Sequence, residues 1–254
     1  MAKRPESQDK MVTRVFVYEY LSGGGSGEGD GELMPSGRSM RDAMVADLLR
    51  VPGCSVAAAT CLPVNTLPAG AAPLRPQTGE SAFDFVARQS ALHDWVWLVA
   101  PETGGLLSRF QRIVDAARWL GCSAGAIELA TRKHATLAHL ASHGVPTPLA
   151  FADAPEIGRW VVKPDDGAGG VDTHVHTRRD SALVEHGLRA QAGEAVTLEP
   201  WIEGEALSLS LLCSARDTEM LSVNRQHIAV DAQGRLAFEG VSVNALAHDD
   251  PRWP

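Results

Sequence analysis

Apolar and polar positions change period in blocks along the first half of the chain, and each block is typical of one kind of element. The continuous apolar runs that predict buried strands cover 14–20, 55–61 and 95–100. The segments with helical spacing cover 39–50, 81–92 and 106–120. Segment 63–79 is rich in proline and glycine and predicts a surface connection. This alternation of strands and helices predicts a small parallel sheet covered by helices.

The second half is strand-rich. The strand patterns cover 160–163, 173–176, 196–202, 207–213, 219–225 and 236–241. A helix is predicted over 131–143, where Gly144 and the prolines of GVPTP end it, and another over 181–192. The DAQG segment, residues 231–234, predicts a hairpin turn. We therefore expect an α+β region to follow the parallel sheet.

These patterns divide the chain into three parts. A flexible tail over 1–13 precedes a small parallel α/β domain of Rossmann-like type over 14–123, and an α+β domain follows over 124–254. A length of 254 residues with 44% hydrophobic content is enough to build such cores. An oxidoreductase of the Rossmann type is disfavoured because no GxGxxG follows the first strand.

Composition and charge exclude several partners. The formal net charge of −8 argues against nucleic acid and anionic membranes, because both attract basic surfaces. No apolar run approaches the roughly 20 residues that cross a bilayer, and the start lacks the apolar core of a signal peptide. The four cysteines have no metal-ligand spacing, as expected in a reducing compartment. We expect a cytoplasmic protein.

The most informative segment is VVKPDDGAGGVDTH, residues 161–174, in which an apolar strand runs through Lys163 into a glycine-rich loop. Lysine supplies a compact cation, and glycines let backbone N–H groups approach anionic oxygens closely. The loop residues concerned are Gly167, Ala168, Gly169 and Gly170. It is not a Walker loop, because no Gly-Lys-Ser/Thr follows. The segment predicts either a polyphosphate cradle or a flexible hairpin.

Other residues around this loop have the chemistry of a nucleotide site. Lys133 opens the helix before GVPTP, and LEPWIEGEALSLSLL places Glu199 and Glu205 around a short apolar link. An adenine needs an apolar slot with hydrogen-bond partners, for which Glu199, Trp201 and Ile202 are the candidates. Glu205 is the candidate acceptor for ribose hydroxyls. Each of these charged residues alone is more often a solvated surface charge, whereas their order and spacing around the loop favour a common site.

With these elements the chain resembles the ATP-grasp superfamily of carboxylate–amine ligases from about residue 124 onward. The resemblance implies that ATP and Mg²⁺ are used and that Lys133 and Lys163 contact the phosphates. It also implies that residues 167–170 close over them, that Glu199 with the backbone of Trp201 and Ile202 faces adenine, and that Glu205 holds ribose. The first domain would then be a pre-ATP-grasp domain.

The first domain resembles a narrower group of ATP-grasp proteins similar to tyramine–glutamate ligase. The segments that carry this resemblance are VFVYEYLSGGG, residues 15–25, and WLVAPETGGLL, residues 97–107. It implies that ATP activates a glutamate carboxylate as an acyl phosphate, that an amine captures it, and that the product serves methanofuran-like one-carbon metabolism. Small-molecule substrates are expected, an amino acid and an amine, and a homodimer is the assembly considered.

The expected metal ligands are missing from this pattern. The family places an acidic residue and a Glu-x-Asn pair on late strands, and nothing before Pro254 matches. Asp249 and Asp250 lie beside proline without a flanking strand, so we interpret them as loop acids. We expect the metal ligands beyond Pro254 and the ATP-grasp domain to be incomplete. The alternative is an ATP-binding or regulatory module that catalyses poorly.

Several further residues leave two interpretations open. Arg225, after a strand, is a candidate for pairing with a substrate carboxylate and for catalysis beside Lys163, with Asn224 as its neighbour; the alternative is a surface ion pair. Gly23 and Gly24 are candidates for approaching a substrate anion or for a simple turn. His174 and His176 form a His-x-His pair that suits either a metal or a partly exposed strand face.

Overall fold

The computed structural model describes residues 12–25, 33–61, 67–154, 157–247 and 249–252. The predicted N-terminal tail lies almost wholly outside the described residues. The chain forms two compact units, Met1–Glu128 and Leu129–Pro254. The boundary predicted between residues 123 and 124 stays a prediction.

Within its described residues, the first unit contains a five-stranded parallel sheet with the strand order β3-β2-β1-β4-β5. The strands are β1 (Thr13–Glu19), β2 (Cys54–Ala59), β3 (Ala72–Leu74), β4 (Trp95–Val99) and β5 (Trp119–Leu120). The helices are α1 (Met34–Leu49), α2 (Ala82–Leu92), α3 (Leu106–Ile113) and α4 (Ala124–Thr131), the last of which reaches into the second unit. The predicted parallel α/β architecture is confirmed.

The core of this unit lies on both faces of β1. On one face Phe16 and Tyr18 pack against Phe85 of α2 and Phe110 of α3, all with no measurable exposure. Burying each such ring contributes roughly 1.5–3 kcal/mol. On the other face Val17 and its neighbours pack against α1. The continuous apolar run of β1 is therefore explained by burial on both sides.

Two predictions in this unit are wrong. Segment 63–79 is not only a connection, because it contains β3, which pairs in parallel with β2. Segment 106–120 is not one helix, because α3 ends at Ile113 and the chain enters β5. Asp115 explains the break: its carbonyl accepts from Arg118 N at 2.8 Å and its carboxylate from Ala117 N at 2.9 Å, which is turn geometry that competes with a helix.

The described residues of the second unit form two antiparallel sheets of three strands each, with the orders β7-β6-β8 and β11-β10-β9. The strands are β6 (Trp160–Pro164), β7 (His174–His176), β8 (Val196–Pro200), β9 (Leu207–Cys213), β10 (Thr218–Val230) and β11 (Leu236–Ser242). The helices are α5 (Lys133–Ser142) and α6 (Arg179–Gln191). β10 continues five residues past its predicted end, and β8 ends two residues before its predicted end.

The predicted hairpin turn is confirmed between β10 and β11. Gly234 N donates to Asp231 O at 2.9 Å, and Asp231 N donates to Arg235 O at 3.0 Å. Gly234 has φ +83°, which suits glycine. The turn also bonds to the other sheet, since Val175 N donates to Gly234 O at 2.7 Å. The hairpin therefore connects the two sheets of this unit.

The β7-β6-β8 sheet has two different faces. Trp160 and Val162 of β6 pack against Ala182 of α6 on one face. Because side chains alternate along a strand, Lys163 points to the other face, which it shares with Thr197 and Glu199 of β8. This second face is where the predicted site residues come together.

None of the described helices has the length and apolar character to cross a membrane.

Candidate functional site

An ion pair between neighbouring strands lies at the centre of the site. Lys163 Nζ is 2.9 Å from Glu199 Oε1 and 3.0 Å from Oε2. The pairing of Val161 with Glu199 sets this geometry, because it places Lys163 diagonally opposite the carboxylate. The Glu199 side chain is only 6% exposed and that of Lys163 is 25% exposed. The lysine can therefore reach solvent, or a ligand, on one side.

The glycine loop, residues 165–173, leaves β6 beside this pair. Its glycines 167, 169 and 170 have φ values of +80°, +75° and +73°, and Asp172 has φ +49°. Such left-handed residues turn successive N–H groups toward one side and form the concave backbone nests that bind anions. An alanine Cβ at Gly169 would meet no atom within 4 Å, so the tip of the loop has open space beside it. The conformation therefore suits a phosphate cradle.

Lys133 holds the start of the glycine loop. Its ammonium donates to Asp166 O and Gly167 O, both at 2.8 Å, and its backbone N donates to Asp165 O at 2.8 Å. Burial lowers the pKa of Lys133, and the nearby Lys163 ammonium lowers it further. The two predicted phosphate lysines are thus close to each other, and one of them also orders the loop.

A cavity of about 390 Å³ opens beside Trp201, at the other end of the same strand pair. Trp201 N donates to Arg159 O at 3.0 Å, and the Arg159 guanidinium lies 4.8 Å from the centre of the indole ring. The lining residues are Phe151, Ile157, Gly158, Arg159, Trp201, Ile202 and Glu203. Its volume is within the usual range for small-molecule sites, and its walls are largely apolar.

The register gives the spacing between this slot and the lysine. Trp201 lies opposite Arg159, four residues before Lys163, which corresponds to about 13 Å along the strand. The bond from Trp201 N to Arg159 O extends the pairing of β6 with β8 by one residue, so alternation places Arg159 and Trp201 on the sheet face of Lys163 and Glu199. An extended nucleotide, with its base in the slot and its phosphates at the loop, therefore fits this face.

Glu205, predicted to bind ribose, and Arg225, predicted to bind the substrate carboxylate, bind each other. Glu205 accepts from Arg225 Nε at 2.6 Å and from Arg252 Nη1 at 2.6 Å. Arg252 also pairs with Asp250 at 2.8 Å, which lowers the pKa of Asp250 to about 2. The interpretation of Asp250 as a loop acid agrees with this pairing. Any ligand of Glu205 or Arg225 has to exchange partners within this network.

Asn224 has a structural environment. It is 6% exposed, its Nδ2 donates to Ser210 Oγ at 2.9 Å, and its Oδ1 accepts from Ser222 Oγ at 2.9 Å. As a neighbour of Arg225 on a strand it points to the opposite sheet face. The structure therefore separates these two candidates, although the substrate role of each stays a prediction.

Gly23 and Gly24 lie in a compact turn that follows β1 in the first unit. Gly23 N donates to Glu19 O at 2.7 Å and Gly24 N to Leu21 O at 3.3 Å, so both amides have partners in the turn. A Cβ at Gly23 would lie 2.6 Å from both Glu19 O and the Tyr18 ring, which explains the need for glycine. Packing accounts for the first glycine, and a substrate role for either stays a prediction.

The sequence patterns did not identify two charged residues that line the slot, or the residue that binds His174 and His176. Arg159 and Glu203, paired at 2.5 Å, line the slot, and no local pattern identified them. His174 and His176 both bind Glu185 of α6, each at 2.8 Å, on the sheet face opposite to Lys163. The signal available in the sequence was the helical spacing of α6, in which Glu185 lies three residues after the buried Ala182 and therefore on the side of the helix that faces the sheet.

The described residues contain no cluster of three metal-ligating side chains. No group of three or more His, Cys, Asp or Glu side chains in this part of the chain is arranged to hold a metal ion. His174, His176 and Glu185 make ordinary hydrogen bonds.

Comparison with known families agrees with this geometry. Residues 54–127 match the pre ATP-grasp 3 domain, and residues 130–253 match the ATP-grasp domain. Together the two matches take in most of the chain, so the protein belongs to the ATP-grasp superfamily. The ATP-grasp prediction is thereby confirmed, and the narrower resemblance to tyramine–glutamate ligase stays a prediction. Comparison of the sequence with curated proteins gives no match.

Solved structures have a similar fold. An ATP-grasp superfamily protein from Archaeoglobus fulgidus is 19% identical, with a TM-score of 0.58 over 93% of this chain and 67% of that one. D-cycloserine synthetase DcsG is 17% identical, with a TM-score of 0.59 over 93% and 76%. The L-amino acid ligase from Bacillus licheniformis is 15% identical, with a TM-score of 0.51, and this chain covers 50% of its length. At these identities the likeness establishes the fold.

Proposed function

We propose that the second unit binds ATP and that the protein uses it to join a carboxylate to an amine. The single observation that carries this proposal is the common sheet face of Lys163, Glu199 and the Trp201 slot, which ends at the glycine loop. A slot for a base and a cradle for phosphates at this spacing form the two halves of a nucleotide site.

The predicted nucleotide-binding residues each have a role in this proposal. Lys163 and Lys133 face the phosphates, and the amides of residues 167–170 approach their oxygens. The slot beside Trp201 and Ile202 takes adenine, with Glu199 as its polar partner, and Glu205 takes the ribose. ATP supplies the phosphoryl group that makes a carboxylate reactive toward an amine. The protein contributes positioning, charge neutralisation and a loop that excludes water.

The finer proposal concerns the substrates. We infer that glutamate is the carboxylate and that an amine captures it, as in proteins similar to tyramine–glutamate ligase, within methanofuran-like one-carbon metabolism in the cytoplasm. Two structural neighbours are an L-amino acid ligase and a D-cycloserine synthetase by name, which agrees with amino acid chemistry. Arg225 is the proposed carboxylate partner, and Gly23 and Gly24 are proposed to approach the substrate in the first unit.

The proposal is tested by calorimetric titration of the full chain with ATP. We expect a Kd in the micromolar range, weakened at least about tenfold in Lys163→Met, which corresponds to a loss of about 1.4 kcal/mol. Arg178→Met is the matched control, because that arginine is 77% exposed and pairs only at 3.7 Å. A Kd for ATP that is the same in the wild type and Lys163→Met would contradict the assigned phosphate role.

Turnover separates ligation from binding. With ATP, glutamate and a panel of primary amines, a ligase releases ADP only when both the carboxylate and the amine are present. If ADP is released at the same rate without the amine, the protein does not join glutamate to that amine.

A second candidate function is an ATP-binding module that does not catalyse. The observation in its favour is that the described residues contain no cluster able to hold a metal ion. Such a module binds ATP equally well with Mg²⁺ and with EDTA and releases no ADP under any substrate combination. A ligase shows ADP release that EDTA abolishes.

A further inference from the structure

The glycine loop is held at both ends by side chains from other elements. At its start, the Lys133 ammonium binds the carbonyls of Asp166 and Gly167. At its exit, Arg189 of α6 donates from Nη1 to Asp172 O at 2.9 Å. Asp172 is the non-glycine residue of the loop with a left-handed backbone, at φ +49°, so its carbonyl direction is sensitive to this bond.

Arg189 is itself fixed in place. Its Nε donates to Glu194 Oε2 at 2.7 Å, its Nη1 lies 3.3 Å from Glu185 Oε1, and its side chain is only 14% exposed. A guanidinium offers five donors in a rigid plane, so one arginine can hold a carbonyl and two carboxylates at once. A lysine ammonium at the same place cannot reproduce that planar arrangement.

Glu185, one turn before Arg189, holds the strand that follows the loop. It accepts from His174 Nδ1 and from His176 Nε2, both at 2.8 Å. Burial opposes the ionisation of this carboxyl, but the two histidine hydrogen bonds outweigh burial and lower the pKa of Glu185. The carboxylate therefore remains charged near neutral pH and binds both histidines of β7.

We propose that Glu185 and Arg189 are positioning residues that fix the exit of the glycine loop, so that its amides are oriented before a nucleotide binds. They act from the α6 face of the sheet, opposite to Lys163 and Glu199, and therefore without contact to the phosphates. A loop that is already ordered loses less conformational entropy on binding, which raises affinity without any added contact. This inference rests on the proposed ATP site.

An ordinary structural pair gives a different result from a positioning pair. Loss of a purely structural pair lowers the stability of the whole unit and leaves the affinity of the remaining folded protein for ATP unchanged. Loss of a positioning pair weakens ATP binding and loosens the loop, while amides elsewhere in the unit keep their protection.

The test uses the full chain with Arg189→Met, Glu185→Gln and the exposed control Arg178→Met. Arg189→Met keeps the aliphatic stem, and Glu185→Gln keeps the shape and is the second variant if the first fails to fold. We expect Kd for ATP to rise about tenfold in both and to stay unchanged in the control. Amide hydrogen exchange, followed by mass spectrometry without nucleotide, should become at least about tenfold faster over 165–176 and stay unchanged over β9 and β10.

The two measurements keep this inference separate from the proposed function. The positioning role is overturned if amides of the loop exchange at the wild-type rate in both variants. It is also overturned if the exchange rate increases evenly over the whole second unit. An unchanged Kd for ATP in both variants also overturns it. If the wild type binds no ATP, the proposed function fails, and local exchange still decides whether Glu185 and Arg189 hold the loop.

Discussion

Replacing Lys163 by methionine removes the cation that neutralises a buried carboxylate. At 2.9 Å and an effective dielectric constant of about 20, the attraction between Lys163 and Glu199 amounts to about 6 kcal/mol. Desolvation of two charges offsets much of it, and removing one partner of a buried pair costs about 3–5 kcal/mol. Because Lys163 is 25% exposed, we expect a loss near the lower limit, about 3 kcal/mol.

The two partners should respond unequally. Glu199→Gln leaves a lysine that reaches water, so we expect a loss of only about 1–2 kcal/mol. The double variant carries no unpaired charge, and its loss should be about 2–3 kcal/mol smaller than the sum of the two single losses. Urea unfolding followed by circular dichroism measures each value, and Lys163→Met should lower Tm by about 6–12 °C.

An exposed pair gives the comparison. Arg50 and Asp47 are 3.1 Å apart but 80% and 66% exposed, so Arg50→Met should change stability by less than about 0.5 kcal/mol. If the losses for Lys163→Met and Glu199→Gln add within about 0.5 kcal/mol, the two residues are not coupled and the reasoning is refuted. The result also affects the ATP titration, because a destabilised Lys163→Met variant must be titrated at a temperature where it remains folded.

Two further predictions concern the scaffold. Gly234→Ala places a Cβ 2.3 Å from Val175 O, whereas Gly193→Ala, at a similar positive φ, meets nothing within 4 Å. Both substitutions bear the left-handed cost of about 1–2 kcal/mol, and only Gly234→Ala adds the close contact. Urea unfolding should therefore show a free energy of unfolding lower by at least about 2 kcal/mol in Gly234→Ala than in Gly193→Ala. Equal losses would contradict the contact. Arg88 lowers the pKa of Glu80 to about 2, so the stability that this pair contributes is complete above the ordinary glutamate value and is lost as the pH falls toward 2. Arg88→Met should flatten that part of the acid unfolding profile, and an unchanged profile would disprove the linkage.

The sequence predicts those parts of the site whose chemistry is local. The glycines of the loop are recognisable because few other residues adopt a left-handed backbone, and Lys163 is recognisable because a strand ends beside it. The pairing of Lys163 with Glu199 is not local. It depends on the register that places Val161 opposite Glu199, and one residue of slip would put the carboxylate on the α6 face.

The strands that were missed are short. β3 has three residues and β5 has two, too few for any period, and both exist because a neighbouring strand offers an edge to pair with. The pair of Glu205 and Arg225 was missed for a related reason. Gln226 N donates to Ala206 O across the sheet, which brings residues twenty positions apart into contact. Each residue was found as a candidate, and only pairing of the strands reveals that they bind each other.

The cations of the proposed site already have acceptors, and this determines what a nucleotide gains by binding. Lys163 binds Glu199, the Lys133 ammonium binds loop carbonyls, and Arg225 binds Glu205. A phosphate that binds these groups therefore exchanges one partner for another, so its net gain is smaller than the sum of new contacts. The amides of the glycine loop are different, because their orientation depends on the ends of the loop. Lys133 and Arg189 hold those ends, so we expect their bonds to the loop to affect the affinity for ATP as much as direct contacts between cations and phosphates do.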